Sequence, residues 1–173
     1  SKGVLRIYTC IDPDVQAQAE AIYEDESNLN YHSSSGQRLQ SAITIIDNET
    51  GDVAAIVGRI GEKELNRGFN LATDAQRQPG SSIKPLMVYA PAMEYAGYST
   101  TSFLLDQPEN FDGYSPRNSG NNYRGWVTLR DCVAYSINVP AVKLLNEISV
   151  ARAKSYASSV GIPFDSKDKN LSL

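Results

Sequence analysis

The sequence has few of the residues that build metal centres and disulfide frameworks. It contains one histidine, His32, and two cysteines, Cys10 and Cys132. The cysteines match no metal-ligand spacing, and a zinc site would need more histidines or paired cysteines. We therefore expect no metal and no other cofactor. Both cysteines lie in apolar surroundings, which predicts two buried free thiols. A Ser-His-Asp triad would have to use His32, but its serine-rich context predicts a solvent-exposed loop.

Long apolar runs and clusters of basic residues are also missing. No run approaches the roughly 18 residues that a membrane-spanning helix needs. Lysine and arginine are scattered and the net charge is −4, so nothing favours nucleic acid as a partner. An apolar share of 41% and a charged share of 21% are ordinary for a soluble globular protein. The length of 173 residues fits one domain or a large part of one.

The first half of the chain carries strand and helix signals in turn. Residues 4–9 alternate in polarity and favour a β-strand. Asp12 is a good N-cap, and the apolar spacing after it predicts a helix to about Glu26. Two apolar runs, residues 42–47 and 52–57, flank a glycine-containing turn and predict a β-hairpin.

The second half is mostly helical in pattern. Residues 82–95 are apolar almost all round, which predicts a buried helix. Residues 98–126 are rich in Asn, Gly, Pro, Ser and Tyr and predict long surface loops. Trp126 and the tyrosines of these loops could line a groove, although ordinary packing is favoured for each. Three further helices are predicted over residues 129–135, 141–148 and 150–160, the first capped by Thr128.

One stretch has the chemistry of a nucleophile beside a base. Residues 77–85 read Arg-Gln-Pro-Gly-Ser-Ser-Ile-Lys-Pro. A glycine turn places Ser81 at the start of the buried helix, and Lys84 three positions later shares its face. A desolvated lysine can take a serine's proton, and helix N-terminal amides suit a developing oxyanion. Ser81 is therefore predicted to be an acylated nucleophile. The alternative is a helix N-cap serine followed by a lysine in the first turn.

Ser136-Ile137-Asn138 is the second candidate stretch. It lies between two helical segments and before a proline, which predicts an ordered loop pointed at a cleft. The alternative is a plain turn whose Asn and Ser satisfy backbone groups. Similar patterns at residues 166–169 and 119–121 lie in polar settings without a glycine turn or a buried helix, and we expect no catalysis from them.

Together these stretches resemble the active-site motifs of penicillin-binding proteins. Residues 77–85 resemble the first motif, and residues 136–138 resemble the second. Residues 5–13 look like the start of the transpeptidase domain of the class A, bifunctional members, residues 45–52 resemble its first hairpin, and residues 123–130 are also similar. The resemblance runs from about residue 4 to residue 173. It implies an α+β fold with a central antiparallel sheet flanked by helices.

The resemblance implies D,D-transpeptidation of peptidoglycan stem peptides on the outer side of a bacterial membrane. Ser81 would attack the penultimate D-alanine carbonyl and would also be acylated by β-lactams. Lys84 would be its base, Ser136 would relay a proton, and Asn138 would hold the donor's amide backbone. A glycosyltransferase domain and a membrane anchor would lie upstream. The alternatives are a serine β-lactamase or β-lactam sensor of the same fold, and a non-catalytic binding scaffold.

The third motif of the family, Lys-Thr/Ser-Gly, is missing. No lysine of the sequence is followed by Thr-Gly or Ser-Gly. In the family this motif lies on a later strand and binds the substrate carboxylate. We therefore expect residues 1–173 to form the N-terminal portion of the domain. A second polypeptide carrying the remainder is expected to complete the fold.

Overall fold

The structure is a computed structural model that describes residues 5–63 and 67–164. It divides into two compact units, Ser1–Arg77 and Gln78–Leu173. In the described residues, the first unit has one helix and the second has several, and each unit has a two-stranded antiparallel sheet. The predicted α+β class is confirmed. No helix in the described ranges is long and apolar enough to cross a membrane.

In the first unit, helix α1 packs on a β-hairpin. Helix α1 covers Pro13–Glu24, and the carboxylate of Asp12 accepts hydrogen bonds from two amides of its first turn. The side chain of Gln16 exchanges two hydrogen bonds with the backbone of Ile56, at 2.9 and 3.0 Å. These bonds hold the helix on the second strand. The predicted helix is confirmed, with its end two residues earlier than expected.

The hairpin consists of strands β1, Ile43–Ile46, and β2, Val53–Val57. The strands pair antiparallel, with Ile43 opposite Val57. Ala55 is fully buried beneath the helix side of the sheet. Apolar residues around a glycine turn were sufficient to predict this element, because both strands and their turn lie within fifteen residues or so of each other.

The strand predicted over residues 4–9 is wrong for the part that the structure describes. Leu5, Ile7 and Tyr8 are 83%, 75% and 87% exposed, and residues 5–9 pair with no strand. The residue that follows this segment meets β2, where the Cys10 thiol donates to the Val53 carbonyl. A strand needs a neighbouring edge as well as alternation. For the same reason Cys10 is exposed, and the expectation that it is buried is wrong.

In the second unit, the helix predicted over residues 82–95 consists of three successive helical segments. They are a 3₁₀ turn, Gly80–Ile83, a π-helical turn, Pro85–Tyr89, and helix α2, Ala90–Ala96. The prediction that this helix is buried all round is wrong, because Leu86, Met93 and Tyr95 are 37%, 43% and 46% exposed and only one side faces the core. Pro91 has no amide to donate, so a regular α-helical hydrogen-bond pattern cannot run through it. Gly97 then ends α2 with a φ of 71°, a conformation that glycine adopts at little cost.

The structure adds a second hairpin where only loops were predicted. Strands β3, Phe103–Asp106, and β4, Gly125–Thr128, pair antiparallel. Leu104 and Val127 face the core, whereas Trp126 is 68% exposed and does not pack there. Each strand has only four residues. Alternation over so few residues is a weak pattern, and the surrounding turn-forming residues favour the prediction of a loop.

The last three helices are confirmed, but α4 begins three residues before the predicted start at residue 141, so Asn138 lies in the helix and not in the predicted loop. Helix α3 covers Leu129–Ala134 and starts with a capping box between Thr128 and Asp131. Helix α4, Asn138–Ile148, runs through the middle of the core, and helix α5 covers Val150–Ser159. Leu144 and Leu145 of α4 are fully buried. Because α4 lies in the core, its first residue has a fixed position relative to the segments packed around it.

Candidate active site

Ser81 lies on the surface, in the first of the three successive helical segments. Gly80 has a φ of 56° and supplies the predicted turn, and the Ser81 carbonyl accepts from the Lys84 amide. No side chain caps this 3₁₀ turn, so Ser81 is not an N-cap serine. The neighbouring Ser82 hydroxyl instead donates to the Pro79 carbonyl, at 2.7 Å. Across the described ranges, nothing hydrogen-bonds to the exposed Ser81 hydroxyl.

The side chain of Lys84 is enclosed, with only 2% of the residue exposed. Its Nζ donates to Asn138 Oδ1 at 2.6 Å, to the Ser136 carbonyl at 2.9 Å and to Ser136 Oγ at 3.2 Å. A fourth oxygen, the Ile137 carbonyl, lies 3.4 Å away. All four oxygens are uncharged, and Lys84 forms no ion pair with any residue that the structure describes.

Burial without a carboxylate partner lowers the pKa of Lys84. The nearby Cys132 opposes this shift, to a smaller degree. However, burial itself raises the pKa of the Cys132 thiol to about 12, so the thiol carries no charge near neutral pH. The opposing effect is therefore absent under those conditions. The surroundings favour the neutral amine of Lys84 more than water does.

Ser136 follows helix α3 in a conformation that is unusual for a residue with a side chain. Its φ is 50°, in the left-handed region, and such a backbone costs of order 1–3 kcal/mol outside glycine. The Ser136 amide donates to the Val133 carbonyl at 3.2 Å. This turn directs both the carbonyl and the hydroxyl of Ser136 at Lys84. The prediction of a plain turn does not account for that double contact.

Asn138 begins helix α4 and is half-buried. Its Nδ2 donates to the Arg117 carbonyl at 2.8 Å, and its Oδ1 accepts from Lys84. The Arg117 carbonyl can only accept a hydrogen bond, so it must face the NH₂ group of Asn138. Lys84 donates, so it must face the side-chain oxygen, and the two partners together fix the orientation of the Asn138 amide. The acceptor end of Asn138 therefore faces the lysine.

Two residues of this region had no sequence signal, Asp106 and Asn118. Asn118 Oδ1 accepts from the backbone amides of Asn138 and Val139, at 3.0 and 3.1 Å. Its Nδ2 donates to Asp106 Oδ1 at 2.7 Å. Once the structure shows that α4 begins after Ile137, whose side chain cannot cap a helix, its first amides are seen to need a distant acceptor.

The structure thus brings together three of the four predicted site residues, Lys84, Ser136 and Asn138. Ser81 lies one helical turn before Lys84, with its hydroxyl free of the others. His32 is exposed in its loop, as predicted. No group of residues in the described ranges has the composition of a metal site. Of the two similar patterns, residues 119–121 form an exposed turn, and residues 166–169 lie outside the described residues.

Comparison with known proteins identifies the family of the chain. The family model described as penicillin binding protein transpeptidase domain matches residues 41–169. The chain is 37% identical to penicillin-binding protein 1F of Bacillus subtilis, over 99% of this chain and 23% of that protein. It is also 37% identical to penicillin-binding protein 1A of Streptococcus oralis, over 94% of this chain and 26% of that protein.

Solved structures show the same fold. Penicillin-binding protein 1A of Haemophilus influenzae is similar with a TM-score of 0.64 and 28% identity, over 77% of this chain and 21% of that one. The penicillin-binding protein PonA1 of Mycobacterium tuberculosis has a TM-score of 0.72 over 91% of this chain and 39% of that one. Its identity of 24% makes this a likeness of fold alone.

The chain belongs to the penicillin-binding protein transpeptidase domain family. Its relatives place it in the class A group, so the family resemblance of the sequence is confirmed. The chain spans about a quarter of the length of these curated relatives.

Proposed function

We propose that this protein is a serine D,D-transpeptidase that cross-links peptidoglycan stem peptides through an acyl-enzyme on Ser81. One observation carries the proposal. The buried amine of Lys84 is surrounded by uncharged oxygens of Ser136 and Asn138, one helical turn after an exposed serine with a free hydroxyl. A base that favours its neutral form beside an available nucleophile is what serine acylation requires.

In the first step the Ser81 hydroxyl loses its proton to Lys84. Ser81 Oγ then attacks the carbonyl of the penultimate D-alanine of a stem peptide. The carbonyl oxygen becomes an oxyanion, which the Ser81 backbone amide stabilises as one half of the oxyanion hole. Gly80 keeps this turn open, because its φ of 56° suits a residue without a side chain.

The hydrogen bonds of Lys84 are compatible with a neutral amine. A neutral amine has two protons, which suit the two shortest contacts, to Asn138 Oδ1 at 2.6 Å and to the Ser136 carbonyl at 2.9 Å. Its lone pair stays available for a proton. The Ser136 hydroxyl, 3.2 Å from Nζ, can either accept from the ammonium or donate to the neutral amine.

This versatility supports Ser136 as the proton relay. The proton on Lys84 passes through the Ser136 hydroxyl to the nitrogen of the departing D-alanine. The carbon–nitrogen bond breaks, the oxyanion collapses, and an ester on Ser81 remains. Asn138 holds the donor's amide backbone during this step. An amine of a second stem peptide then attacks the ester, and its proton returns along the same path to Ser81.

We propose that residues other than those of this sequence supply the remaining parts of the site. A Lys-Thr/Ser-Gly segment would bind the substrate carboxylate and supply the second oxyanion donor, and we propose a second polypeptide as its source. A membrane anchor and a glycosyltransferase domain would precede the chain in the complete protein. The site would then act on the cell-wall side of the bacterial membrane.

Acylation by a fluorescent penicillin tests the proposal in the full native protein. The wild type and Ser82→Ala should label, because the Ser82 hydroxyl is occupied by the Pro79 carbonyl. Ser81→Ala should not. Absence of labelling in the wild type would favour a non-catalytic scaffold. Rapid release of hydrolysed drug would favour a β-lactamase.

A second assay concerns the substrate. A stem pentapeptide ending in D-Ala-D-Ala should release one D-alanine, and an added acceptor amine should be joined to the product. Mass spectrometry would identify both species. Release without any joined product would limit the activity to hydrolysis and contradict transpeptidation.

A further inference from the structure

We propose that Asn118, itself held by Asp106, is a positioning residue that sets Asn138 and, through it, the amine of Lys84. The catalytic meaning of this inference rests on the proposed function. The structural part of the inference, which groups hold the N-terminus of helix α4, is independent of the proposed function. Neither residue hydrogen-bonds to Lys84, Ser81 or Ser136.

Asn118 has a complete set of hydrogen bonds although it is 91% buried, with 9% of its surface exposed. Its Oδ1 accepts from the Asn138 and Val139 amides. Its Nδ2 donates to Asp106 Oδ1 at 2.7 Å and to the Asn122 carbonyl at 3.0 Å. An asparagine amide has two protons and two lone pairs on its oxygen, so every one of them is used. The orientation of this amide is therefore unambiguous.

Asn118 takes the place of a missing helix cap. The first amides of a helix have no partner within it, and Ile137, the N-cap residue of α4, provides no side-chain bond. Asn118 reaches these amides from a loop twenty residues earlier in the chain. Its neighbour Arg117 accepts the side-chain bond from Asn138 Nδ2. One dipeptide of the loop thus holds both the backbone and the side chain of Asn138.

Asp106 determines which end of Asn118 faces the helix. It is 1% exposed, its Oδ1 accepts from Asn118, and its Oδ2 accepts from the Arg124 amide at 2.9 Å. An ionised carboxylate can only accept, so it binds the NH₂ end of Asn118 and leaves the oxygen for the α4 amides. Asp106 ends strand β3, and this links the second hairpin to the site.

This chemistry suggests an exchange of the two side chains as the test. Asn118→Asp alone places two carboxylates 2.7 Å apart, which disrupts the pair. Asp106→Asn combined with Asn118→Asp restores it: the new amide donates to the new carboxylate and accepts from the Arg124 amide. The carboxylate at 118 accepts from both α4 amides. The bond to the Asn122 carbonyl is lost, and a carboxylate oxygen at 118 then faces that carbonyl oxygen across a contact of 3.0 Å in the wild type. The second proton of the amide at 106 also has no acceptor among the bonds that Asp106 makes, so recovery is incomplete.

The acylation rate constant with a penicillin is measured in the full native protein, at a temperature where circular dichroism shows each variant folded. We expect Asn118→Asp to acylate about 10-fold more slowly or worse, because a loosened site loses reactive geometry. The double variant should recover to within about 3-fold of the wild type. Asn110→Ala is the matched control, because it removes loop hydrogen bonds to Ser115 and Gly113 without touching α4.

Undiminished acylation in the folded Asn118→Asp variant would overturn the inference, and so would an equal loss in Asn110→Ala. Amide hydrogen exchange at Asn138 and Val139, followed by NMR, separates this inference from the proposed function. Exchange should accelerate at least about 10-fold in Asn118→Asp and slow again in the double variant. If the wild type is not acylated at all, the proposed function fails. The positioning role is then judged by amide exchange alone, and it is refuted if exchange at Asn138 and Val139 is the same in Asn118→Asp as in the wild type.

Discussion

The amine of Lys84 lies 2.6 Å from Oδ1 of Asn138, a residue 54 positions further along the chain. It is the shortest hydrogen bond of the lysine, and it joins the two motifs that the sequence singled out separately. Asn138 offers an uncharged oxygen, so the contact orients the amine without stabilising its charge as strongly as a carboxylate would. The identity of residue 138 therefore influences both the position and the protonation of the base.

Asn138→Asp should slow acylation about 10-fold or more at neutral pH. The substitution keeps the shape of the side chain but places a negative charge beside Lys84, which raises the pKa of the lysine and keeps it protonated. The pH dependence of the acylation rate constant measures this, and its rising limb should move to higher pH. Asn146→Asp is the matched control, because Asn146 is an exposed residue of the same helix. A rising limb that stays in place would argue against Lys84 as the base.

The wild-type acylation rate should rise with pH and reach its plateau below the pH at which an ordinary lysine titrates. Burial lowers the pKa of Lys84, and only the neutral amine can accept the proton of Ser81. As pH falls through the lowered pKa, the amine is protonated and the rate falls. Stopped-flow measurement of the acylation rate over a series of pH values shows whether the rate rises with pH, as expected. Lys84→Arg should abolish the reaction, and a profile without a rising limb would exclude a lysine base.

The same shift makes the stability of the fold depend on pH. The folded protein disfavours the charged form of Lys84, so the unfolded state binds more protons between the lowered pKa and the ordinary lysine value. The free energy of unfolding contributed by this group should therefore rise with pH across that window. Urea denaturation of the wild type and of Lys84→Met at a series of pH values gives the difference. A difference that is constant with pH would contradict the lowered pKa.

The two cysteines should differ sharply in reactivity. Cys10 is exposed, whereas Cys132 is fully buried and burial raises the pKa of its thiol to about 12. A thiol reagent should modify one cysteine per chain quickly in the folded protein and the second only after denaturant is added. Cys10→Ser should remove the fast phase. Fast modification that persists in this variant would show that Cys132 is accessible.

Thr128→Ala should lower the free energy of unfolding by about 1 kcal/mol. The Thr128 hydroxyl accepts from the Asp131 amide at 3.1 Å and donates to the Asp131 carboxylate at 2.7 Å. This capping box holds the start of helix α3, which leads directly to Ser136. Thermal or urea unfolding measures the loss. Thr128→Ser keeps the hydroxyl and should recover most of it; if both variants are equally destabilised, packing of the methyl group is responsible instead.

Predictions that depend on neighbours in the chain were confirmed. Asp12 caps α1 through amides two and three residues later, and Thr128 caps α3 through the Asp131 amide. Such contacts form within one turn, so the local order of residues determines them. The strand expected over residues 4–9 is wrong for residues 5–9, and strands β3 and β4 were not predicted. A strand depends on a partner edge, and local order carries no information about which distant segment provides it.

The sequence by itself determined the two motifs, the glycine turn before Ser81 and the family to which the chain belongs. These features depend on residue type and on short spacing, which a linear chain records. Tertiary structure alone decided that Lys84 is buried, that its partners lie 52 to 54 residues away, and that Asn118 and Asp106 support them. Desolvation and long-range hydrogen bonds exist only after the chain has packed. The chemistry of Lys84 therefore comes from the fold around it, even though the residue itself is visible in the sequence.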